Sequence, residues 1–365
     1  MPFSIFSSSD LMPAYPWKRI FAFILLLTLA AIVAMELSLR SLGYQPTALD
    51  SKERWSHERG RASELGSQAL TLIGTSRFQL GMDLDVLRKG TGLEAIQLAV
   101  DGSSFVPVLK NLADDPRVTG TILIDYTSGA LANARQGSFG SVSVFVDEYE
   151  KQQLRFQNFS ADTLEKKLTA GIHENLSIFS DGSNPWFALR YRILPWKRSS
   201  QYITTRPDRS RLADYSRLPW PDAYYSRVAK QLGMEWNPHA GRGRAEARFL
   251  DKIKSMPVAS QEDFLYGAQL IRGYIDTIQK RGGKVLFVKM PTTGLIKEAD
   301  EQRYPEQQFL EVFFASSHLP ILYDKNQPAI RDFKCPDGSH LDQKDRASFS
   351  AIVAKFVAGF VAGKS

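Results

Sequence analysis

The chain has 365 residues, 43% of them hydrophobic and 23% charged, a globular balance that allows one large domain or two small ones and excludes wholesale disorder. A net charge of +7 suits anionic lipid surfaces or acidic glycans, but it is too modest to be a nucleic-acid footprint, and no nucleic-acid partner is expected. The single cysteine, Cys335, excludes an internal disulfide.

Residues 1–19 are polar and mixed, ending in Trp17-Lys18-Arg19. An uncharged run follows from Ile20 to Met35, and Leu37 and Leu39 extend it past Glu36. Over 20–40 it reaches the roughly 17–25 residues that a membrane span needs. No small-x-small cleavage site follows, so the reading is an uncleaved single-pass transmembrane helix rather than a signal peptide. Basic residues on its amino side place the N-terminus in the cytoplasm and the remainder outside it. Residues 41–68, with Gly43, Pro46 and a charge-rich run from Lys52 to Glu64, read as a linker or stalk.

The remainder, 69–365, reads as one α/β domain. Short apolar runs predict strands at 70–73, 95–100, 120–125, 284–290 and 320–323. Helical spacing recurs at 82–89, 104–113, 262–281, 306–316 and 342–359. The 262–281 pattern is the clearest, with Phe264, Leu265, Ala268, Ile271, Tyr274, Ile275 and Ile278 on one face and a stop at Gly282-Gly283. Alternation of strands and helices predicts a doubly wound, mainly parallel five-stranded sheet. Residues 130–260 interrupt it as an inserted helical and irregular subdomain or lid, since a structureless loop of that length is unusual in a compact domain.

The chemistry concentrates at two turns. Gly74-Thr75-Ser76-Arg77 breaks the first strand where an open α/β sheet presents a nucleophile. Asp337-Gly-Ser-His340 precedes the last helix. A serine hydroxyl needs a base to accept its proton, and that base needs a carboxylate to fix its tautomer; Ser76, His340 and Asp337 supply the three. The alternative for each turn alone is a plain turn or helix cap. Gly102, in Val100-Asp-Gly-Ser-Ser104 after the second strand, is either a point where a glycine lets backbone approach a reacting group closely or a plain strand-to-helix turn with Ser103 or Ser104 as the helix cap. Met290-Pro-Thr-Thr-Gly294 either lines an acceptor pocket or is a turn. None of His57, His173, His239 and His318 has metal-ligand spacing, and no Gly-rich phosphate loop followed by Lys occurs, so no metal or other cofactor is expected.

The Gly74–Arg77 turn resembles the first sequence block of the SGNH/GDSL hydrolases, usually Gly-Asp-Ser, and Asp337-x-x-His340 resembles their last block. With the N-terminal span, the chain resembles the SGNH-like membrane-anchored proteins that O-acetylate bacterial cell-surface polysaccharides. The resemblance implies the SGNH/flavodoxin-like strand order. It also implies a Ser-His-Asp triad and Gly102 in the oxyanion hole. It further implies a bacterial inner-membrane location with the catalytic domain periplasmic, and an acetyl donor delivered by a membrane-bound O-acyltransferase partner. The chain departs from the family where the third block, Gly-x-Asn-Asp, is expected: Ile124-Asp-Tyr-Thr-Ser-Gly129 has no asparagine. Arg77 in place of the usual Leu departs too, and would contact an anionic group or support Asp125. The middle of the chain is rich in arginine and holds Trp186, Trp196, Trp220 and Trp236. These tryptophans either stack on the sugars of a polysaccharide, dock a partner protein, or pack a lid. The expected activity is acyl transfer to a surface glycan. An esterase with the same residues and a catalytically idle glycan-binding scaffold are the alternatives.

Overall fold

The computed structural model describes residues 16–154, 161–180 and 201–363. In chain order its strands are β1 (Ala69–Ile73), β2 (Glu94–Gln97), β3 (Thr121–Asp125), β4 (Ile203–Thr205), β5 (Arg211–Ala213), β6 (Lys284–Val288) and β7 (Ile321–Leu322). Five of them form one sheet in the order β2-β1-β3-β6-β7, with every neighbouring pair parallel. β4 and β5 form a separate antiparallel hairpin.

The side-chain period of two explains why helices cover both faces of the sheet. Ile73, Ile122, Ile124, Val285 and Phe287 point into one core, which the helices Lys52–Leu65, Val106–Asp114, Val142–Leu154, Gln261–Lys280 and Leu310–Ser317 close. Leu70, Leu72, Leu123, Leu286 and Val288 point into the other, against Phe78, Leu84, Leu87, Phe349, Val353 and Val357. The expected α/β sheet is therefore present, five-stranded and wholly parallel. Its strands are shorter than expected at β2, β6 and β7. The pattern at 82–89 corresponds to the helix Leu84–Thr91, which Asp83 caps by accepting from Asp85 and Val86 N–H, and a short helix that the spacing did not predict, Ser76–Gly81, precedes it. The helix expected at 306–316 starts at Leu310, the helix Gly294–Arg303 precedes it, and the last helix is Arg346–Val361.

The N-terminal helix Trp17–Ser41 is 25 residues, long and apolar enough to cross a membrane. The stretch 41–68, read as a linker, is ordered and packed. In the helix Lys52–Leu65 the Trp55 indole is fully buried and donates to Leu98 O at 2.9 Å. Arg59, also fully buried, donates to Asn111 Oδ1 at 2.6 Å and Ser63 Oγ at 2.7 Å. The connection before that helix is clasped to the β4–β5 hairpin and the turn after it: Ala48 N donates to Thr205 O, Thr205 N to Thr47 Oγ1, and Arg217 Nη1, past β5, to Gly43 O.

The 130–260 stretch is more regular than expected beyond 200, with helices Asp222–Leu232 and Arg242–Lys254. It is also divided in its packing. Val142, Val146 and Tyr149 join the sheet core beside Trp55. Val228, Phe249 and Ile253 instead form a third cluster with Leu295, Ile296 and Ala299.

Candidate active site

The strand order reverses between β1 and β3, because the chain leaves β1 toward β2 and then crosses back. That switch point opens a crevice at the carboxyl ends of the strands, where open α/β sheets bind ligands. Ser76 stands at its rim.

Gly74 makes the turn possible. Its φ is +153°, and a Cβ built on it would lie 2.3 Å from the Cβ of Asp125, so only glycine lets the two strand ends approach. Thr75 then ties them together: its Oγ1 donates to Asp125 Oδ2 at 2.6 Å, its N–H donates to the same oxygen at 3.2 Å, and its Oγ1 accepts from Arg77 N. Asp125 is fully buried, and burial raises its carboxyl above the ordinary range against the opposing pull of Arg77. Its Oδ1 has no partner among the described residues.

From this turn Ser76 Oγ lies 2.8 Å from His340 Nε2, and His340 Nδ1 lies 2.7 Å from Asp337 Oδ2. All three residues are buried. The tautomer that satisfies both contacts has Nδ1–H donating to Asp337 and Ser76 O–H donating to Nε2. Asp337 Oδ1 accepts from Ser339 N (3.0 Å) and His340 N (2.8 Å), and Oδ2 accepts from Tyr215 OH (3.0 Å). Burial works to raise the Asp337 carboxyl, but the bond and charge of His340 and the two backbone donors outweigh it and hold it well below the usual range. Burial and the neighbouring Asp337 push the Tyr215 phenol up, so it remains a donor.

The Asp337–His340 turn is buttressed by the loop after β6. Thr293 N donates to Gly338 O, Thr293 Oγ1 to Cys335 O, and the Cys335 thiol to Pro291 O. This gives Met290–Gly294 a supporting part besides any pocket. Burial raises the Cys335 thiol to about 12, so it is no nucleophile at neutral pH. A cavity of about 680 Å³ beside this loop is lined by Lys289–Gly294, Lys297, Arg331 and Lys334 among others, and includes none of Ser76, Asp337 or His340.

Gly102 has φ +63° and no atom within 4 Å of a would-be Cβ, although its carbonyl packs against Gly140. Neither its N–H nor that of Ser76 finds an acceptor among the described residues. In the turn after β3, Tyr126 and Ser128 bond to each other and residues 126–129 include no carboxamide. Arg77 pairs with Asp300 at 3.2 Å and lines a smaller cavity of about 140 Å³ with Tyr126, Lys297 and Tyr304.

Of the four tryptophans, Trp186 and Trp196 fall outside the described residues. Trp236 stacks on Tyr225 with ring centroids 5.0 Å apart and also meets Phe249, so it packs a helix pair. Trp220 is 65% exposed, with its ring 5.5 Å from Tyr224. The middle of the chain reaches the buried line through other residues. Tyr215 holds Asp337, and Arg227 places Nη2 3.5 Å from Ser339 Oγ. Arg211 pairs with Asp101 at 3.2 Å. Asp101 in turn lies near the Ser76 hydroxyl. Partial burial would raise its carboxyl, but Arg211 and that hydroxyl keep it low. Arg227 has no carboxylate partner among the described residues, and its Nε is buried without an acceptor. Asp101 was legible only as the neighbour of Gly102. Tyr215 carried no sequence signal, and Arg211 and Arg227 were lost in a crowd of arginines.

No protein-family model, curated protein or solved structure matches the chain.

Proposed function

We propose that this chain is an SGNH-like, membrane-anchored O-acyltransferase that moves an acyl group, acetyl by resemblance, onto a cell-surface polysaccharide or its precursor. The observation that carries the reading is the continuous line Ser76–His340–Asp337 at the switch point, with distances of 2.8 and 2.7 Å. The strand order β2-β1-β3-β6-β7 matches the flavodoxin-like order of that superfamily and supports the same reading.

In the first step Ser76 Oγ attacks the carbonyl carbon of the donor's acyl group while His340 Nε2 takes the hydroxyl proton. The Ser76 and Gly102 N–H groups face the oxygen on which negative charge develops. The tetrahedral adduct collapses, the C–O bond to the donor breaks, and the departing alkoxide takes the proton from His340. Ser76 is left as an acyl ester. A sugar hydroxyl then gives its proton to Nε2 and attacks that ester, which regenerates Ser76. Asp337 stays ionised throughout and holds the Nδ1–H tautomer. Arg227, without a counter-charge beside this line, suits a carboxylate-bearing sugar as acceptor. Lys18 and Arg19 ahead of the span favour a cytoplasmic N-terminus and a site on the other side of the membrane; a periplasmic setting and a donor delivered by a membrane-bound O-acyltransferase are what the resemblance implies.

With water in place of the sugar, the same steps make an esterase. The absence of a carboxamide after β3 and the anionic Asp101 beside Ser76 favour a second reading, an idle SGNH-like fold kept as a glycan-binding scaffold. Labelling the full-length protein with a fluorophosphonate separates the two. An adduct at Ser76 is expected, slowed by about 10²–10⁴ in His340→Ala. An unreactive wild type, under conditions that label a known serine esterase, would favour the scaffold.

A further inference from the structure

The N-terminal helix does not end in a free tether. Glu36 follows the sixteen uncharged residues Ile20–Met35, which span about 24 Å at roughly 1.5 Å per residue. Glu36 therefore stands at one boundary of a hydrocarbon layer roughly 30 Å thick. At that boundary its carboxylate accepts from Ser177 N at 2.9 Å and Ile178 N at 3.2 Å, and pairs with Arg40 at 2.7 Å. Arg40 Nη2 also donates to Asn175 O at 2.9 Å. Beneath these bonds Leu39 and Tyr44 are buried against Met35, Leu42 and Ile178. The helix Ala161–Asn175 and the turn Ser177–Phe179 are thus fastened to the exit of the span, 135 to 142 residues away in sequence.

The same segment exposes large apolar side chains. Leu168 is 60% exposed, Ile172 43% and Phe179 46%, and Leu37 at the end of the N-terminal helix is 62% exposed. Leu168 and Ile172 are four apart and share one helix face. Apolar groups gathered at the exit of an apolar span have one neighbour of matching chemistry, the interfacial layer of the bilayer.

We infer that Ala161–Asn175 and Ser177–Phe179 lie against the membrane surface, with Leu168, Ile172 and Phe179 in the acyl–headgroup boundary, so that the domain is docked on the lipid and not merely tethered to it. The inference rests on the N-terminal helix crossing the bilayer, and its test reports that separately.

The full-length protein in phosphatidylcholine nanodiscs carrying a photoactivatable lipid should give lipid adducts on the N-terminal helix and on peptides covering 165–179, but not on 222–254. Adducts on the helix alone would overturn the docking. Their absence from the helix too would overturn the anchor. Single substitutions sharpen the result, because the native Cys335 is only 4% exposed and stays unlabelled. A fluorophore on Leu168→Cys, Ile172→Cys or Phe179→Cys should be quenched by doxyl-labelled lipid about threefold or more beyond one on Val258→Cys, an apolar site 44% exposed in the loop before Gln261–Lys280. Quenching equal to that of the Val258 site would overturn the proposal. So would labels shielded from water yet unquenched, which would mean that a second copy or another protein covers the face.

Discussion

The sheet and the clasp that joins residues 43–50 to the β4–β5 hairpin are built from opposite materials. β1, β3 and β6 are buried on both faces and hold through apolar contact, with each strand feeding two cores. The clasp holds through hydrogen bonds and charges. Arg209, fully buried, pairs with Asp50 at 2.7 Å and donates to Gln97 O at 2.6 Å and Ala99 O at 3.2 Å. Arg54 reaches Pro207 O and Glu174, and Gln79 donates to Asp50. Apolar packing is non-directional and tolerant of small losses, whereas a buried cation stripped of its carbonyls has no second-best arrangement. The sheet thus sets the fold, and the clasp sets where Tyr215 and Arg211 stand relative to it.

If that division is right, the largest single loss comes from Arg209. Arg209→Ala should cost about 3 kcal/mol, the low end for a broken buried pair because Asp50 retains some access to water. The thermal midpoint reports the loss. Arg209 also has a left-handed backbone, φ 65°, so Arg209→Gly should lose about 1 kcal/mol less than the alanine variant. Equal losses in the two would mean that the turn, and not the guanidinium, carries the clasp. Gly74→Ala tests the sheet side. Its Cβ would drive into Asp125, costing about 1–3 kcal/mol and slowing Ser76 labelling about tenfold by moving the turn. Undiminished labelling there would show that Ser76 does not depend on the close approach of β1 to β3. The smallest effect is expected of Tyr215→Phe, which deletes one of four bonds to Asp337. Labelling should fall about fivefold, near 1 kcal/mol, with the thermal midpoint almost unchanged. A loss as large as that of His340→Ala would make the clasp part of the reacting line itself.

The same contrast explains what could be read from the sequence. β1 and β3 were legible because Leu70–Ile73, broken only by Thr71, and Ile122–Ile124 are short apolar runs bounded by Gly74 and Gly120. Ser76, His340 and Asp337 were legible because turn chemistry is local: the carboxylate and imidazole are three residues apart, and the serine ends a strand. The helix Lys52–Leu65 was mistaken for a linker because its burial is polar, with Glu58, Arg59 and Ser63 inside and few apolar residues to set a period. The Gly294–Arg303 helix hid behind the same polarity, with only Leu295, Ile296 and Ala299 buried. β4 and β5 are three residues each, too short to show alternation. Arg211 meets Asp101, and Tyr215 meets Asp337, across more than a hundred residues, and nothing local encodes such a meeting.

The ordered connection after the N-terminal helix has a consequence for how the site meets its partners. A free chain of ten residues, the length of 42–51, would let its domain wander by about 17 Å. Clasped to the hairpin at Thr47, Ala48 and Asp50, and to Arg217 at Gly43, it acts as a ruler. If the helix crosses a bilayer and the proposed acyl transfer holds, Ser76 would ride at one altitude above the lipid, and a partner held in the same plane would find it by lateral diffusion alone. Effective concentration would then become a matter of matched heights, high for a membrane-held donor whose acyl group is presented at that level and negligible for one presented above or below it.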